Sequence, residues 1–233
     1  MVRFLRPFDP RRIRLLVFDL DGTLIDSRLD LIHSVNATLR HIGRPELDGD
    51  VIASYVGDGA PALMRRALGD TDDEILLLTA LEYFLSYYRL HKLDHTTVYP
   101  GIPEVLAVLA RPANGMTRTL ARTMAVLSNK PVNPSRAIVQ ALGLGDFFVS
   151  VYGGNSFATK KPDPLGVRTL LEETGVAAED ALMIGDSSID VLAGRNAGLW
   201  TCGVTYGFAP QSLEDVPPDV LVENPQELGE LFR

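Results

Sequence analysis

The sequence of this 233-residue chain predicts an α/β fold, a doubly wound parallel sheet interrupted by an inserted all-helical block. Three observations carry the prediction. Short apolar runs alternate with amphipathic stretches through most of the chain. One long region, from about Arg28 to His95, holds helical pattern and no strand pattern. Polar clusters of acid, hydroxyl or lysine follow the apolar runs, where an open α/β sheet keeps its ligands.

The apolar runs Leu15–Phe18, Met124–Leu127, Phe148–Tyr152, Leu182–Ile184 and Thr201–Val204 read as strands. Between and beside them, Gly101–Leu109, Ser135–Leu142, Gly166–Glu173 and Ile189–Ala197 read as helices. Strand and helix in repetition gives parallel pairing with right-handed crossovers, so the loops leaving the strands gather at one sheet edge. The inserted region carries "RLDLIHSVNATLRHIG" and "DDEILLLTALEYFLSYYRLH", both with apolar residues at helical spacing. Tyr83, Phe84, Tyr87 and Tyr88 in the second stretch read as the core of this block, and His33 in the first as a packing or surface residue. The block is expected to be a separate lid or cap over residues 27–96, hinged near Ile25–Ser27 and Thr96–Pro100. The α/β core then takes residues 1–26 and 97–233. The connection Arg111–Thr123 exceeds the usual length and precedes a strand, which puts it at the edge away from the polar clusters. A surface or oligomer contact is the expected role there.

Composition narrows the partners. A formal charge of -8 gives no basic face for a phosphate backbone, so nucleic acid is not expected. No run approaches the roughly eighteen apolar residues of a membrane span. The lone Cys202 excludes an internal disulfide and fits a reducing compartment, and the basic opening "MVRFLRPFDPRR" lacks a secretory apolar stretch. A cytoplasmic protein acting on a small metabolite, as monomer or homodimer, is the expectation.

Four polar points follow four of the strand candidates. In "VFDLDGTLIDS", Asp19 and Asp21 leave the first strand two residues apart and can point into one small volume. Hard carboxylate oxygens so placed suit Mg²⁺, although Asp21-Gly22 also serves as an ordinary solvated turn. Ser128 and Asn129 in "LSNKP" offer a hydroxyl and backbone N–H groups to phosphate oxygens, or else simply cap a helix. Lys161 in "KKPDP" presents a positive charge ahead of a proline, or a solvated basic turn. In "IGDSSID", Asp186 sits on a turn and Asp190 one helical turn later, which equally describes an N-terminal cap and a first-turn acid.

Taken together, "VFDLDGTLIDS", "LSNKP", "KKPDP" and "IGDSSIDVLAGRNAG" resemble the haloacid dehalogenase (HAD) superfamily, from Leu15 to about Phe208. Within it, "YVGDGAPALMRRAL", "VYPGIPEVL" and "GVTYGF" are similar to phosphoglycolate phosphatases. The resemblance implies a Rossmann-like core, an aspartyl-phosphate formed on Asp19, and Asp21 as general acid and base. It also implies Mg²⁺ held by Asp19, the Asp21 carbonyl and Asp186, with Ser128, Asn129 and Lys161 on the substrate and Asp190 and Thr23 behind them. Cap specificity falls to Gly57, Asp58, Gly59 and Arg65, with Arg65 and Arg66 able to meet a substrate carboxylate or else simply forming a solvated helical face. Two departures stand out: Asn155 replaces a common aspartate, and the Arg111–Thr123 connection is unusually long. A second acid at Asp21 argues against C–Cl hydrolysis, which in this superfamily lacks it. A β-phosphoglucomutase-like mutase shares both acids and a helical cap, and an inactive Mg²⁺-binding module would keep the acids alone.

Overall fold

The computed structural model describes residues 2–110 and 122–232, so most of the Arg111–Thr123 connection lies outside the described residues. The central sheet has seven strands in the order β1-β9-β8-β7-β2-β5-β6. These are β1 (Arg3–Phe4), β2 (Leu15–Phe18), β5 (Thr123–Leu127), β6 (Ser150–Tyr152), β7 (Ala181–Gly185), β8 (Trp200–Val204) and β9 (Val220–Val222). All pairings are parallel except β1 with β9, which covers one edge in antiparallel fashion.

Burial explains why β2 sits at the centre. Leu15, Leu16, Val17 and Phe18 are all fully buried, as a strand with helices on both faces must be. Leu16 and Phe18 pack into one apolar layer with Met124, Val126, Leu182 and Ile184. Leu15 and Val17 pack into the opposite layer with Ala125, Leu127, Val167 and Met183. The flanking helices are α5 (Ile102–Leu109), α6 (Val132–Ala141), α7 (Leu165–Thr174) and α8 (Ser188–Asn196), with short α9 (Ser212–Asp215) and α10 (Pro225–Glu230) near the end. The opening segment, read from sequence as an arm, instead supplies the edge strand β1, paired through Arg3 with Leu221 and Phe4 with Val220.

The helical insertion comprises α1 (Arg28–His41), α2 (Gly49–Ser54), α3 (Ala60–Ala67) and α4 (Glu74–His91). It has its own apolar cluster, built on Leu31, Val35, Leu39, Ile52, Met64 and Phe84. The chain leaves and re-enters the sheet through a two-residue antiparallel pair, β3 (Ile25–Asp26) with β4 (Thr97–Val98). Asp30 reinforces that closure: its buried carboxylate accepts from the His95 and Thr96 N–H groups and the Thr96 hydroxyl. These bonds account for the Asp30 end of an Asp30–His33–His95 cluster, whose two histidines are exposed. Of the four aromatic residues expected in this block's core, Phe84 and Tyr88 are buried, whereas Tyr83 and Tyr87 are half-buried and stack on His41 and His91. No helix among the described residues is long and apolar enough to cross a membrane.

Candidate active site

Strand ends β2, β5 and β7 deliver Asp19, Ser128 and Asp186 to one cavity at the carboxyl edge of the sheet, and Lys161 and Asp190 join them there. The cavity is about 60 Å³ and is closed from the other side by Gly57, Gly59, Leu63, Phe84 and Tyr88 of the helical insertion.

Two glycines permit the close approach. Gly22 has φ +81°, and a Cβ there would run into the Asp186 carboxylate. Gly59 has φ +83°, and a Cβ there would lie 2.8 Å from the Asn129 carbonyl oxygen, where insertion meets sheet. The helical insertion is latched by two further bonds: the Asn129 amide donates to the Gly57 carbonyl at 3.0 Å, and Lys160 Nζ donates to the Asp58 carbonyl.

Lysine and carboxylate pair twice in the cavity. Lys161 Nζ donates to Asp19 Oδ1 at 2.8 Å and to Asp190 Oδ1 at 2.6 Å. Burial works against the charged Lys161, but the two carboxylates outweigh it and raise its pKa. Lys130 Nζ donates to both oxygens of Asp21, at 2.7 and 2.8 Å, and the Ser27 hydroxyl also donates to Asp21. Burial likewise opposes the Lys130 charge, and the Asp21 carboxylate reverses that and raises its pKa.

The remaining acids are crowded. Carboxylate oxygens of Asp19, Asp186 and Asp190 lie within 4.8 Å of one another. Burial first, then the Asp190 and Asp21 charges, push the Asp19 carboxyl up to about 6 despite Lys161. Burial, with Asp190 and Asp19 beside it, pushes Asp186 well above the usual carboxylate range, although the Phe208 and Ala209 N–H groups donate to its Oδ2. Asp190 spends both oxygens, one on Lys161 and one on the Ser187 hydroxyl and N–H. Ser187, rather than Asp186, is therefore the residue before α8, and Asp186 stays free to face the cavity.

This donor set fits a hard divalent cation. The charged cavity residues are four carboxylates and two ammonium groups, which leaves two formal negative charges. Asp19 Oδ2 and Asp186 Oδ1 accept no hydrogen bond among the described residues, unlike both oxygens of Asp190. Uncompensated buried carboxylates of this kind take up protons or a metal ion, and oxygen-only ligands suit hard cations such as Mg²⁺, Ca²⁺ or Mn²⁺.

Other sequence candidates fall into three groups. Ser128 lines the cavity, 3% exposed, and its hydroxyl accepts from the Lys130 N–H at 3.2 Å. Asn129 also lines it, but its amide nitrogen is committed to the Gly57 and Lys161 carbonyls. Thr23 is buried behind the turn and does not line the cavity; its carbonyl accepts from the Tyr206 hydroxyl. Asp58 pairs with Arg66 outside the cavity. Arg65, expected at the substrate, points elsewhere: its guanidinium donates to the Thr71 carbonyl and to Glu74 at 2.7 Å, tying α3 to the start of α4. Asn155 accepts from the Val132 N–H at 2.8 Å at the start of α6, so the departure from aspartate keeps an oxygen acceptor there.

Lys130 and Tyr88 are two polar cavity residues to which the sequence reading assigned no role at the site. Lys130 lies in the same "LSNKP" stretch as Ser128, but its partner Asp21 is 109 residues earlier. Tyr88 reads as an apolar-face residue of a helix, which it also is.

Comparison with known proteins agrees with this geometry. Residues 16–204 match the family model of haloacid dehalogenase-like hydrolases. A phosphoglycolate phosphatase of Chromobacterium violaceum is 36% identical over 227 residues, covering 96% of this chain and 98% of the relative. One of Vibrio vulnificus is 37% identical, covering 85% of this chain and 86% of its own. A solved structure from Haemophilus somnus, described as a predicted phosphoglycolate phosphatase, superposes with a TM-score of 0.86 at 26% identity, over 95% of this chain and 99% of that one.

Proposed function

The chain belongs to the haloacid dehalogenase-like hydrolases, and from that premise we propose that it is a Mg²⁺-dependent phosphatase of small phosphomonoesters, 2-phosphoglycolate foremost, working through an aspartyl-phosphate on Asp19. The observation that carries the reading is the meeting of Asp19, Lys161 and Asp186 in one buried cavity at the carboxyl ends of the strands. The relatives' names supply the substrate, and the cavity's small size agrees: about 60 Å³ leaves room for roughly four to six waters.

In this mechanism an Asp19 oxygen attacks phosphorus while the bond to the leaving oxygen breaks, and Asp21, which enters this step in its protonated form, gives that oxygen a proton. Asp21 then takes a proton from water, whose oxygen attacks phosphorus, releasing orthophosphate and restoring Asp19. Lys161 and Ser128 hold the phosphoryl oxygens in line, and Asp190 aims Lys161. A bound Mg²⁺, held by Asp19, the Asp21 carbonyl and Asp186, would neutralise charge on the transferring group. Positioning and charge neutralisation are what a loose phosphoryl-transfer transition state requires of a protein. Residues 27–96 act as a cap on a core of residues 1–26 and 97–233, excluding bulk water when seated on the cavity.

The test is phosphate release from 2-phosphoglycolate, β-glucose 1-phosphate, nucleoside monophosphates and pyrophosphate, each with Mg²⁺ and with EDTA. Mg²⁺-dependent preference for 2-phosphoglycolate is expected. Preference for another ester would overturn the substrate and keep the chemistry. Conversion of β-glucose 1-phosphate to another sugar phosphate without release would indicate a mutase, and no turnover at all would reduce the protein to a Mg²⁺-binding module.

A further inference from the structure

We propose that Lys130 and Tyr88 form a receptor for a carboxylate on the leaving-group side of the substrate, which makes this phosphatase selective for phosphorylated short hydroxy acids. The inference deepens the function proposed above and rests on it.

The cavity is lined by two cations, Lys130 and Lys161. Lys161 is engaged with Asp19 and Asp190, at the place of phosphoryl transfer. Lys130 is 7% exposed, and its Nζ donates to both Asp21 oxygens with the Tyr88 phenol beside it. Asp21 is the proton donor to the leaving oxygen, so the cation that holds it stands beside the leaving group rather than the phosphoryl group.

A second observation points to a ligand at the same place. Tyr88 of α4 is 3% exposed and lines the cavity, and its hydroxyl has no hydrogen-bonding partner among the described residues. Lys130 Nζ lies 4.8 Å from its ring centroid. Leaving a buried hydroxyl unmet is costly, and a substrate oxygen would recover that cost. An ammonium and a phenol side by side suit a carboxylate, with one charge-assisted bond and one neutral one.

Three other cations of the insertion are spent. Arg65 serves Glu74 and Thr71, Arg66 serves Asp58 and the Tyr55 carbonyl, and Arg28 serves Asp26. Around Lys130 and Tyr88 the cap presents Leu31, Val56, Leu63, Phe84 and Leu85, which offer nothing to a sugar's hydroxyl groups. A two-carbon acid places its carboxylate close to the leaving oxygen, as the adjacency of Asp21 and Lys130 requires.

The experiment compares 2-phosphoglycolate with ethyl phosphate, the same skeleton without the carboxylate, in wild type, Lys130→Met, Lys130→Arg and Tyr88→Phe. Where ethyl phosphate turns over too slowly, its inhibition constant against 2-phosphoglycolate replaces kcat/KM. Lys130→Met should lower kcat/KM for 2-phosphoglycolate about 10- to 100-fold more than for ethyl phosphate, the scale of one lost charge-assisted bond. Lys130→Arg should restore part of the preference, and Tyr88→Phe should raise KM for 2-phosphoglycolate by about 3- to 10-fold. Inhibition by orthophosphate should stay within about twofold of wild type, because the phosphoryl subsite is intact. Equal loss on both esters would overturn the receptor and leave Lys130 serving Asp21 alone, and an unchanged preference would overturn it outright. Wild type inert on both esters would overturn 2-phosphoglycolate as the substrate, and the receptor with it, while turnover of any other ester in the panel above would keep the phosphatase reading. Thermal melting checks each fold; if Lys130→Met does not fold, Lys130→Arg and Tyr88→Phe decide the matter.

Discussion

The two lysine–carboxylate pairs of the cavity look alike and are built differently. Lys161 with Asp19 and Asp190 lies within the α/β core, Asp19 at the end of β2, Asp190 on the first turn of α8 and Lys161 on the loop before α7. Lys130 with Asp21 stands where the core meets the insertion, against Tyr88 of α4. The first arrangement lies wholly within the core. The second is complete only when the helices sit on the core, so on the function proposed above reaction chemistry and substrate choice would be divided between the two regions.

The largest expected effect lies on the core side. Asp19→Asn should lower kcat by about 10³-fold or more while the melting temperature changes little, because the amide is nearly isosteric but cannot attack phosphorus. Activity assays beside thermal melts check this, and substantial residual turnover would remove Asp19 from its role. Next, Asp186→Asn should raise the Mg²⁺ concentration for half-maximal activity about 10- to 100-fold, read from a metal titration of the rate.

Stability sharpens the same contrast. Ile184→Ala in the sheet and Leu39→Ala in the helical cluster should each cost about 2–5 kcal/mol locally, since both side chains are buried. In urea, Ile184→Ala should shift activity and circular dichroism together. Leu39→Ala should lose activity together with about half of the helical signal and ahead of the rest, because the insertion has its own apolar cluster and carries α1 to α4. Coincident curves for both variants would mean that the two regions unfold as one.

The smallest effect sits at the hinge. Burial raises the Asp26 carboxyl, but hydrogen bonds from the Arg28 side chain and N–H outweigh it and leave the pKa below its ordinary value. A carboxyl lowered on folding stabilises the protein above its unfolded pKa of about 3.9, and the contribution disappears as pH falls through the folded value. The pair is partly exposed, so Arg28→Ala should cost no more than about 0.5 kcal/mol near neutrality, with the difference from wild type fading in acid. Urea midpoints across pH measure it.

Much of this was legible in the sequence, and the exceptions have physical causes. The strand Leu15–Phe18 was read to the residue because a strand buried on both faces is an unbroken apolar run. Strands Arg3–Phe4 and Val220–Val222 were not read: each is two or three residues long, and only pairing identifies them, with each other and, for Val220–Val222, with Trp200–Val204. Helix α6 begins at Val132 rather than Ser135, because Pro131 precedes the first turn and Asn155, distant in sequence, accepts from its N–H. Asp19, Ser128, Lys161 and Asp186 follow strands in recognisable motifs, and the structure brings them to one cavity. Lys130 and Tyr88 were missed because their meaning lies in contacts far along the chain. Arg65 misled for the same reason, since its partner Glu74 is nine residues away on another helix.

The central claim is that Asp19 carries the phosphoryl group between its two transfers. The direct measurement is rapid acid quench of the enzyme turning over 2-phosphoglycolate with Mg²⁺, followed by borohydride reduction and mass spectrometry of the peptide spanning Leu15–Ser27. A phosphorylated Asp19 would be reduced to homoserine at that position, in a yield that rises and falls with turnover and vanishes with EDTA. Phosphate release with an unmodified Asp19 at every quench time, or reduction at Asp21 instead, would contradict the account.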